Sequence, residues 1–271
     1  MTQPKPKTIP LPTPTAVPPR ELVRLILDGT TLDLPLDLSG NPDAPLPPRP
    51  KLTKGLKHTL ARMKYAVESG SPLMLVVGTH GGGKSTAAKL FAEGQGGLYY
   101  EVPPQYRAKD VVADLCRRLG ISVGEGYRLR TEVLVDFLRQ HPRPILLDEA
   151  QRLKYEALDQ LKYIADRAGV TVILIGSPWL ENVVRRHSDI SSRVWVRVEV
   201  EPITAEEFRR VYRPDGYPDP VLDAVHGVAE GVMRRAAAML SHLDAALAHH
   251  RGMTRAELTP EHVRAAAEVV L

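Results

Sequence analysis

The chain has only one cysteine and no long apolar run. Cys116 is the single cysteine in 271 residues, so no disulfide can form within the chain, and a reducing compartment such as the cytoplasm is the expected location. No apolar run approaches the roughly 20 residues that cross a bilayer. The N-terminus leads from Met1 into prolines instead of an apolar core, so we expect neither an export signal nor a membrane partner.

The composition is ordinary for a globular protein and slightly basic. Charged residues make up 25% of the chain and hydrophobic residues 43%, with a net charge of +4. A chain of this length can bury one core, or one large and one small domain. The basic balance permits binding to nucleic acid, although basic surfaces also serve solubility.

Three regions differ in their sequence patterns. Residues 1–50 are rich in proline, with one short amphipathic piece at residues 21–27, and are expected to form a largely disordered arm. Residues 51–202 alternate apolar segments with amphipathic ones, and residues 203–271 show helical patterns without a strand pattern. We therefore predict an α/β core at residues 51–202 and a small all-helical domain at residues 203–271.

Five short apolar segments predict the strands of the core. Between them, helical spacing predicts helices that include residues 53–69, 108–119, 131–140 and 153–167. Apolar strands that alternate with helices indicate a parallel sheet covered on both faces. The predicted strands are residues 73–77, 98–102, 145–147, 170–175 and 194–198.

A glycine-rich motif follows the first predicted strand and opens into a helix. It fits G-x-x-x-x-G-K-[ST] in the strand, loop and helix context of a nucleotide-binding P-loop. Lys84 can reach the β- and γ-phosphates, and the Ser85 hydroxyl can hold Mg²⁺. The backbone N–H groups of such a loop surround phosphate oxygens, so we predict ATP and Mg²⁺ as ligands. The predicted nucleotide-binding residues of the loop are Gly78, Thr79, His80, Gly81, Gly82, Gly83, Lys84, Ser85 and Thr86.

Two acidic residues end the third predicted strand. Asp148 would lie beside the P-loop and hold Mg²⁺ directly or through water. Glu149 is suited to polarise the water that attacks the γ-phosphate. With Lys84, these residues predict a complete site for ATP hydrolysis.

The P-loop, the run from Asp148 to Leu153 and the strand that ends in Gly176-Ser177-Pro178 resemble the AAA+ ATPases. Within them, residues 148–167 resemble the transposition ATPases of the MuB/TnsC/TniB type, while ExeA-like and Orc-type ATPases share much of the pattern. The resemblance implies an AAA+ core with a five-stranded parallel sheet between helices and a helical lid. It also implies duplex DNA as a partner and self-association into a ring of about six or seven subunits or a helical filament.

The resemblance implies roles for three further polar residues. Ser177 matches the sensor-1 residue that reads the γ-phosphate, and it also suits a helix N-cap before Pro178. Arg234, in Gly231-Val232-Met233-Arg234, matches sensor 2 in the lid and would otherwise be a surface arginine. Arg193 is our first choice for an arginine finger supplied to a neighbouring subunit, with Arg185 and Arg186 as alternatives.

Two basic segments with aromatic neighbours are candidates for DNA contacts. Residues 105–109 follow the second strand, and residues 127–130 are expected to form a loop before the helix at 131–140. Arginine and lysine in such loops bind phosphates without reading sequence. The predicted contacts are Arg107, Lys109, Arg128 and Arg130.

Three functions fit these patterns. The first is a transposition ATPase that assembles on target DNA with ATP and recruits or activates a transposase. The second is an ExeA-like ATPase of secretion, and the third is a nucleotide-gated scaffold with negligible turnover. A two-domain helicase fits poorly despite Asp148-Glu149-Ala150-Gln151, because the remaining residues are too few for a second RecA-like domain.

Joint replacement of Arg107, Lys109, Arg128 and Arg130 by alanine should flatten the salt dependence of DNA binding. Each lost phosphate contact lowers the slope of log K against log salt by about 0.9. Titration of a labelled duplex at several salt concentrations measures this slope. As a control, alanine at Arg209, Arg210, Arg213 and Arg264 removes equal charge elsewhere. An unchanged slope in the first variant would contradict the assignment.

Overall fold

The computed structural model describes residues 50–122, 124, 126–249 and 254–270. The expected proline-rich arm up to residue 49, with its amphipathic piece at residues 21–27, lies outside these residues.

The core is a five-stranded sheet in which all pairings are parallel, in the order β2-β3-β4-β1-β5. This confirms the predicted α/β class and the parallel five-stranded sheet. The central strand is β4, and β1 lies between β4 and the edge strand β5. Because all pairings are parallel, the loops that leave β1, β3 and β4 emerge at the same end of the strands. The strands are β1 Leu73–Gly78, β2 Leu98–Glu101, β3 Ile145–Asp148, β4 Val172–Gly176 and β5 Val194–Val200.

Helices cover both faces of this sheet. Their apolar sides supply the contacts that a two-sided parallel sheet needs. The helices before Val200 are α1 Lys54–Glu68, α2 Lys84–Gln95, α3 Ala108–Arg118, α4 Tyr127–Gln140, α5 Tyr155–Ala168, α6 Trp179–Arg185 and α7 Ser188–Ser191.

Two apolar cores lie on opposite faces of the sheet. One face packs side chains such as Leu75 and Leu147 against α3, α4 and α5, with Leu161 fully buried. The other packs Val76 and Ile173 against α1 and α2. Alternate side chains of β1, β3 and β4 therefore point to different cores, and burial of both faces explains why these three strands are almost entirely apolar. In β5, at the edge of the sheet, only alternate residues are buried.

A third core belongs to the helices that follow β5. Phe208, Leu222 and Val263 are fully buried there, with Met239 almost fully so. These helices are α8 Ala205–Tyr212, α9 Asp219–Ala229, α10 Met233–His249 and α11 Pro260–Val270. A helical region thus follows the sheet, as predicted; the exact domain boundaries at residues 50/51 and 202/203 stay a prediction.

The structure corrects two local predictions. Residues 127–130 are the first turn of α4, which runs Tyr127–Gln140, and not a loop before a helix. The Arg130 N–H donates to the Gly126 carbonyl at 3.0 Å and the Thr131 hydroxyl donates to the Tyr127 carbonyl, so the helix extends one turn further than the apolar spacing indicated. The predicted helix from residue 153 begins instead at Tyr155, after a short 3-10 turn at Ala150–Arg152.

Within the described ranges, no helix combines the length and the apolar character that a bilayer crossing requires.

Candidate nucleotide-binding site

The P-loop joins β1 to α2 and positions Lys84 at the first residue of that helix. Lys84 Nζ donates to the Gly78 carbonyl at 2.9 Å and to the Thr79 carbonyl at 2.7 Å. Gly83 caps the helix with a φ of 94°, a left-handed conformation that glycine adopts without steric cost. The carbonyls of the loop thus hold the Lys84 ammonium group, and α2 begins at the end of the loop.

The P-loop backbone also packs closely against two other parts of the chain. A Cβ on Gly78 would overlap the Val200 carbonyl at the end of β5. A Cβ on Gly81 would lie 2.6 Å from Val232 Cγ1 and 3.1 Å from Arg234 Cβ. The helical region therefore contacts the loop directly, and only glycine fits these two positions.

A cleft of about 360 Å³ opens beside this loop. It gathers most of the predicted nucleotide-binding residues, with Glu149 from the end of β3 and Arg234 from α10. The predicted residues that line it are His80, Gly81, Gly82, Gly83, Lys84, Ser85, Thr86, Glu149 and Arg234. Segments more than 140 residues apart in sequence thus meet at one site.

The electrostatics of the cleft centre on Lys84, which is 7% exposed. Burial lowers the pKa of its ammonium group from the ordinary value. The Asp148 and Glu149 carboxylates raise that pKa, whereas the Arg234 guanidinium lowers it further. Two cations and two carboxylates therefore act on the same small volume, an arrangement suited to a polyphosphate with a divalent cation.

Asp148 is buried at the carboxyl end of β3, at 3% exposure. Its Oδ2 accepts a hydrogen bond from the Tyr99 hydroxyl at 2.8 Å, and its Oδ1 accepts from the Glu149 N–H at 2.9 Å. Burial, and then the hydrogen bond to Asp148, raise the pKa of Tyr99, so this phenol stays a donor. The two donors set the orientation of the carboxylate.

Glu149 has a left-handed backbone with φ 56° and ψ 32°. A non-glycine residue in this region costs on the order of 1–3 kcal/mol and persists where the surrounding structure holds it. Its Oε2 accepts from Gln151 Nε2 at 2.8 Å and lies 3.4 Å from Arg152 Nη2. The strained turn directs the carboxylate into the cleft.

The residues present fit Mg²⁺ bound with a nucleotide. The Ser85 hydroxyl and the Asp148 carboxylate are hard oxygen ligands, which this ion prefers, and Mg²⁺ sites of this kind use one or two carboxylates with substrate phosphates and water. When bound, the ion would neutralise charge on the β- and γ-phosphates. Each Asp148 oxygen accepts one hydrogen bond from the protein and keeps further acceptor capacity.

Ser177 lies just after β4 but not among the residues that line the cleft. Its N–H donates to Gln151 Oε1 at 3.3 Å, and through this glutamine it is linked to Glu149. Its carbonyl accepts from the Leu180 N–H in the first turn of α6. A sensor role for the Ser177 hydroxyl stays a prediction.

The sequence patterns missed one wall of the cleft. Lys51 lines it and forms an ion pair with Asp215 at 2.7 Å, while its ammonium lies 5.1 Å from the centroid of the Tyr212 ring. Leu56 and Met233 add apolar surface to the same cleft. An apolar and aromatic wall beside a phosphate loop suits a nucleoside base. No motif marks these residues, since they come from the segment before α1 and from α1, α8 and α10.

Arg193 lies far from the P-loop of its own chain. It precedes β5, and its carbonyl accepts a hydrogen bond from the Leu73 N–H at the start of β1. The P-loop leaves the other end of this six-residue strand. The two ends of such a strand are about 17 Å apart. Its Nε donates to both Asp166 oxygens at 3.0 and 3.1 Å. Arg193 therefore cannot serve the P-loop of its own chain.

The two alternative finger residues have other contacts. Arg185 pairs with Glu181 at 2.6 Å. The Arg186 guanidinium lies 5.2 Å from the Trp179 ring centroid. All three arginines stay candidates for contact with a neighbouring subunit.

The four predicted DNA contacts lie at the starts of two helices. Arg107 precedes α3 and pairs with Asp110 at 2.9 Å, and Arg128 pairs with Glu132 within α4 at 3.1 Å. The Sγ atom of Cys116, near the end of α3, lies 3.8 Å from the Arg130 carbonyl. The turn of α4 that carries Arg128 and Arg130 therefore packs against α3. Lys109 lies in the first turn of α3. Their role stays a prediction.

Residues 67–184 match the family model described as an AAA domain. The chain is 24% identical over 188 residues to General secretion pathway protein A of Aeromonas hydrophila, which covers 61% of this chain and 34% of that protein. It is 25% identical over 134 residues to the Mu-like prophage FluMu DNA transposition protein B of Haemophilus influenzae, covering 46% of each. The chain thus spans less than half the length of these relatives.

Solved structures with the same fold include the ORC2 protein of Aeropyrum pernix with a TM-score of 0.63, at 17% identity, covering 83% of this chain and 70% of that one. The ORC1 protein of the same organism in complex with DNA gives a TM-score of 0.58, at 21% identity, covering 91% and 69%. These likenesses confirm the AAA+ P-loop NTPase fold and the resemblance drawn from the motifs.

Replacement of Gly81 by alanine should weaken nucleotide binding by about tenfold or more. Its φ of +79° strains a side chain by about 1–2 kcal/mol, and the new Cβ would meet Val232 and Arg234. Equilibrium titration with a fluorescent ATP analogue measures the change. Gly169→Ala carries a similar strain at φ +69° with no neighbour within 4 Å, so it should bind as the wild type does. Equal affinity in both variants would contradict a role for this contact.

Proposed function

We propose that this chain, which carries an AAA domain of the P-loop NTPase fold, is an ATPase that binds duplex DNA without sequence specificity in the cytoplasm. In this proposal it assembles on target DNA with ATP and recruits or activates a transposase, and hydrolysis of ATP then releases the assembly. The observation that carries the ATPase part is the convergence of Lys84, Glu149 and Arg234 on one cleft.

Five residues that line the cleft, together with Asp148, which does not line it, take roles in the proposed hydrolysis. Lys84 and Arg234 bind the phosphates, and Ser85 with Asp148 holds Mg²⁺. Glu149 accepts a proton from the attacking water, which must lie within hydrogen-bond reach of its carboxylate. Gly81 lets α10 approach the loop closely enough for Arg234 to cover the phosphates.

Assembly is supported by the position of Arg193. An arginine finger neutralises charge on the transferring phosphoryl group, and Arg193 lies at the opposite edge of the sheet from its own P-loop. A neighbouring copy of the chain can bring this arginine to the cleft. Hydrolysis would then depend on assembly in a closed ring or an open filament.

The DNA and transposase parts are supported by the similarity to a DNA transposition protein B and by the predicted basic contacts. A second candidate is an ATPase of secretion, which the longer match to General secretion pathway protein A favours. DNA binding in the presence of ATP would favour the transposition ATPase over the ATPase of secretion.

Two substitutions at the cleft should have different effects. Lys84→Ala should abolish nucleotide binding and with it ATP-dependent DNA binding. Glu149→Gln should keep nucleotide binding and DNA binding but lower kcat for ATP hydrolysis by about 10²- to 10⁴-fold. The DNA-bound assembly should therefore persist. Phosphate release measures kcat, and filter binding with ATP, a non-hydrolysable analogue or ADP, followed by electron microscopy of the same samples, measures the DNA-bound assembly. Absence of DNA binding in every nucleotide state would reject the transposition proposal in favour of protein substrates.

A mixing experiment tests whether Arg193 acts on a neighbouring subunit. Arg193→Ala should lower kcat by about 10³-fold, and Glu149→Gln is inactive for a different reason. In a one-to-one mixture, Glu149→Gln subunits can supply Arg193 to the sites of Arg193→Ala subunits, which keep Glu149. Half of the sites keep Glu149 and half of those have such a neighbour, so about a quarter of the wild-type rate should return.

Asp166→Asn is the control for the mixing experiment, since it removes the partner of Arg193 within the chain and should stay active. A mixture no faster than its separate components would contradict the assignment and direct the same test to Arg185 and Arg186.

A further inference from the structure

The side chain of Gln151 bridges the ends of two strands. Its Nε2 donates to Glu149 Oε2 at 2.8 Å, just after β3. Its Oε1 accepts from the Ser177 N–H at 3.3 Å, just after β4. A carboxylate can only accept and a backbone N–H can only donate, so these two partners determine which end of the amide faces which strand.

The space for this bridge depends on Gly176, the last residue of β4. A Cβ at this position would overlap Gln151 Oε1 and would lie 3.0 Å from Leu180 Cδ2. The amide therefore occupies space that is free only because residue 176 has no side chain. Gly176 and Gln151 act as a complementary pair across β3 and β4.

Gln151 and Arg152 hold the same oxygen of Glu149. Arg152 Nη2 lies 3.4 Å from Glu149 Oε2, and Arg152 Nη1 donates to the Val102 carbonyl at 2.6 Å. Among the described residues, the hydrogen bonds to this carboxylate therefore go to Oε2. The other oxygen, Oε1, is left to accept a hydrogen bond from water.

We propose that Gln151 is a positioning residue that holds the Glu149 carboxylate in its orientation toward water and couples it to the turn at Ser177. This inference rests on the proposed ATPase function of the same cleft. A shift of the Ser177 turn would move the amide of Gln151 and, with it, the Glu149 carboxylate. Gln151 itself does not line the cleft, so it acts through Glu149 and not on the nucleotide.

Two substitutions of Gln151 in the full chain separate the two halves of the bridge. Gln151→Ala removes both contacts. Gln151→Glu keeps an oxygen acceptor for the Ser177 N–H but loses the donor to Glu149 and places a second negative charge beside it. Both should lower kcat for ATP by about 10- to 100-fold, while KM and the Kd of a fluorescent ATP analogue stay within about twofold. Gln140→Glu, with the same chemical change on an exposed part of α4, should match the wild type.

Gly176→Ala perturbs the bridge from its other side. It should lower kcat in the wild-type background, because the new methyl displaces the Gln151 amide. In the Gln151→Ala background it should lower kcat further by less than about twofold, because the atom that it would overlap is gone. Thermal unfolding of each variant shows whether the contact with Leu180 has affected folding. Equal losses in both backgrounds would contradict the bridge.

Amide hydrogen exchange at Ser177, measured by NMR, tests the bridge without turnover. Gln151→Ala should speed this exchange about threefold to tenfold, as expected for the loss of one hydrogen bond, whereas Gln151→Glu should leave it near the wild-type rate. A Gln151→Ala variant with wild-type kcat, or with unchanged Ser177 exchange, would overturn the inference. If the wild type and Gln140→Glu bind ATP but hydrolyse none, the proposed ATPase function fails, and the exchange at Ser177 still decides whether the bridge exists.

Discussion

The close approach of three backbone segments at the P-loop is the constraint on which the rest of the site depends. Gly78 packs on the carbonyl of Val200 at the end of β5, and Gly81 packs on Val232 and Arg234 of the helical region. Side chains at these glycines would separate the loop from both neighbours. With them in contact, the loop and the helix that carries Arg234 line one cleft, and packing brings Arg234 to the place where we propose that it covers the phosphates.

Asp148 and Glu149, the two carboxylates of the site, depend on hydrogen-bond donors from neighbouring side chains. Tyr99 orients Asp148 from β2, and Gln151 with Arg152 orients Glu149 from the turn after β3. These donors compensate for burial of the carboxylates and for the left-handed backbone of Glu149, because buried polar groups and strained residues persist only where their surroundings hold them. The catalytic geometry proposed for the cleft is therefore a property of three adjacent strands.

Sequence patterns predicted the elements well where the signal was local. The P-loop, the five strands and the helices of the lid follow from contiguous motifs and apolar spacing. The patterns failed at the start of α4, where residues 127–130 carry arginine and tyrosine and show no apolar period, although they continue the helix. They also missed the 3-10 turn at Ala150–Arg152, which sets the approach of Gln151 to Ser177 and has no signature of its own.

The sequence by itself determined the chemistry of the phosphate site, because glycines, lysine and serine in one short stretch specify a loop whose conformation is local. The tertiary structure alone decided which distant residues complete that site. Lys51 and Tyr212 form a wall of the cleft, Tyr99 reaches Asp148, and Arg193 lies at the far edge of the sheet. The physical reason is the order of the strands: parallel pairing brings together the ends of segments distant in sequence, and no local preference encodes which segments will be neighbours.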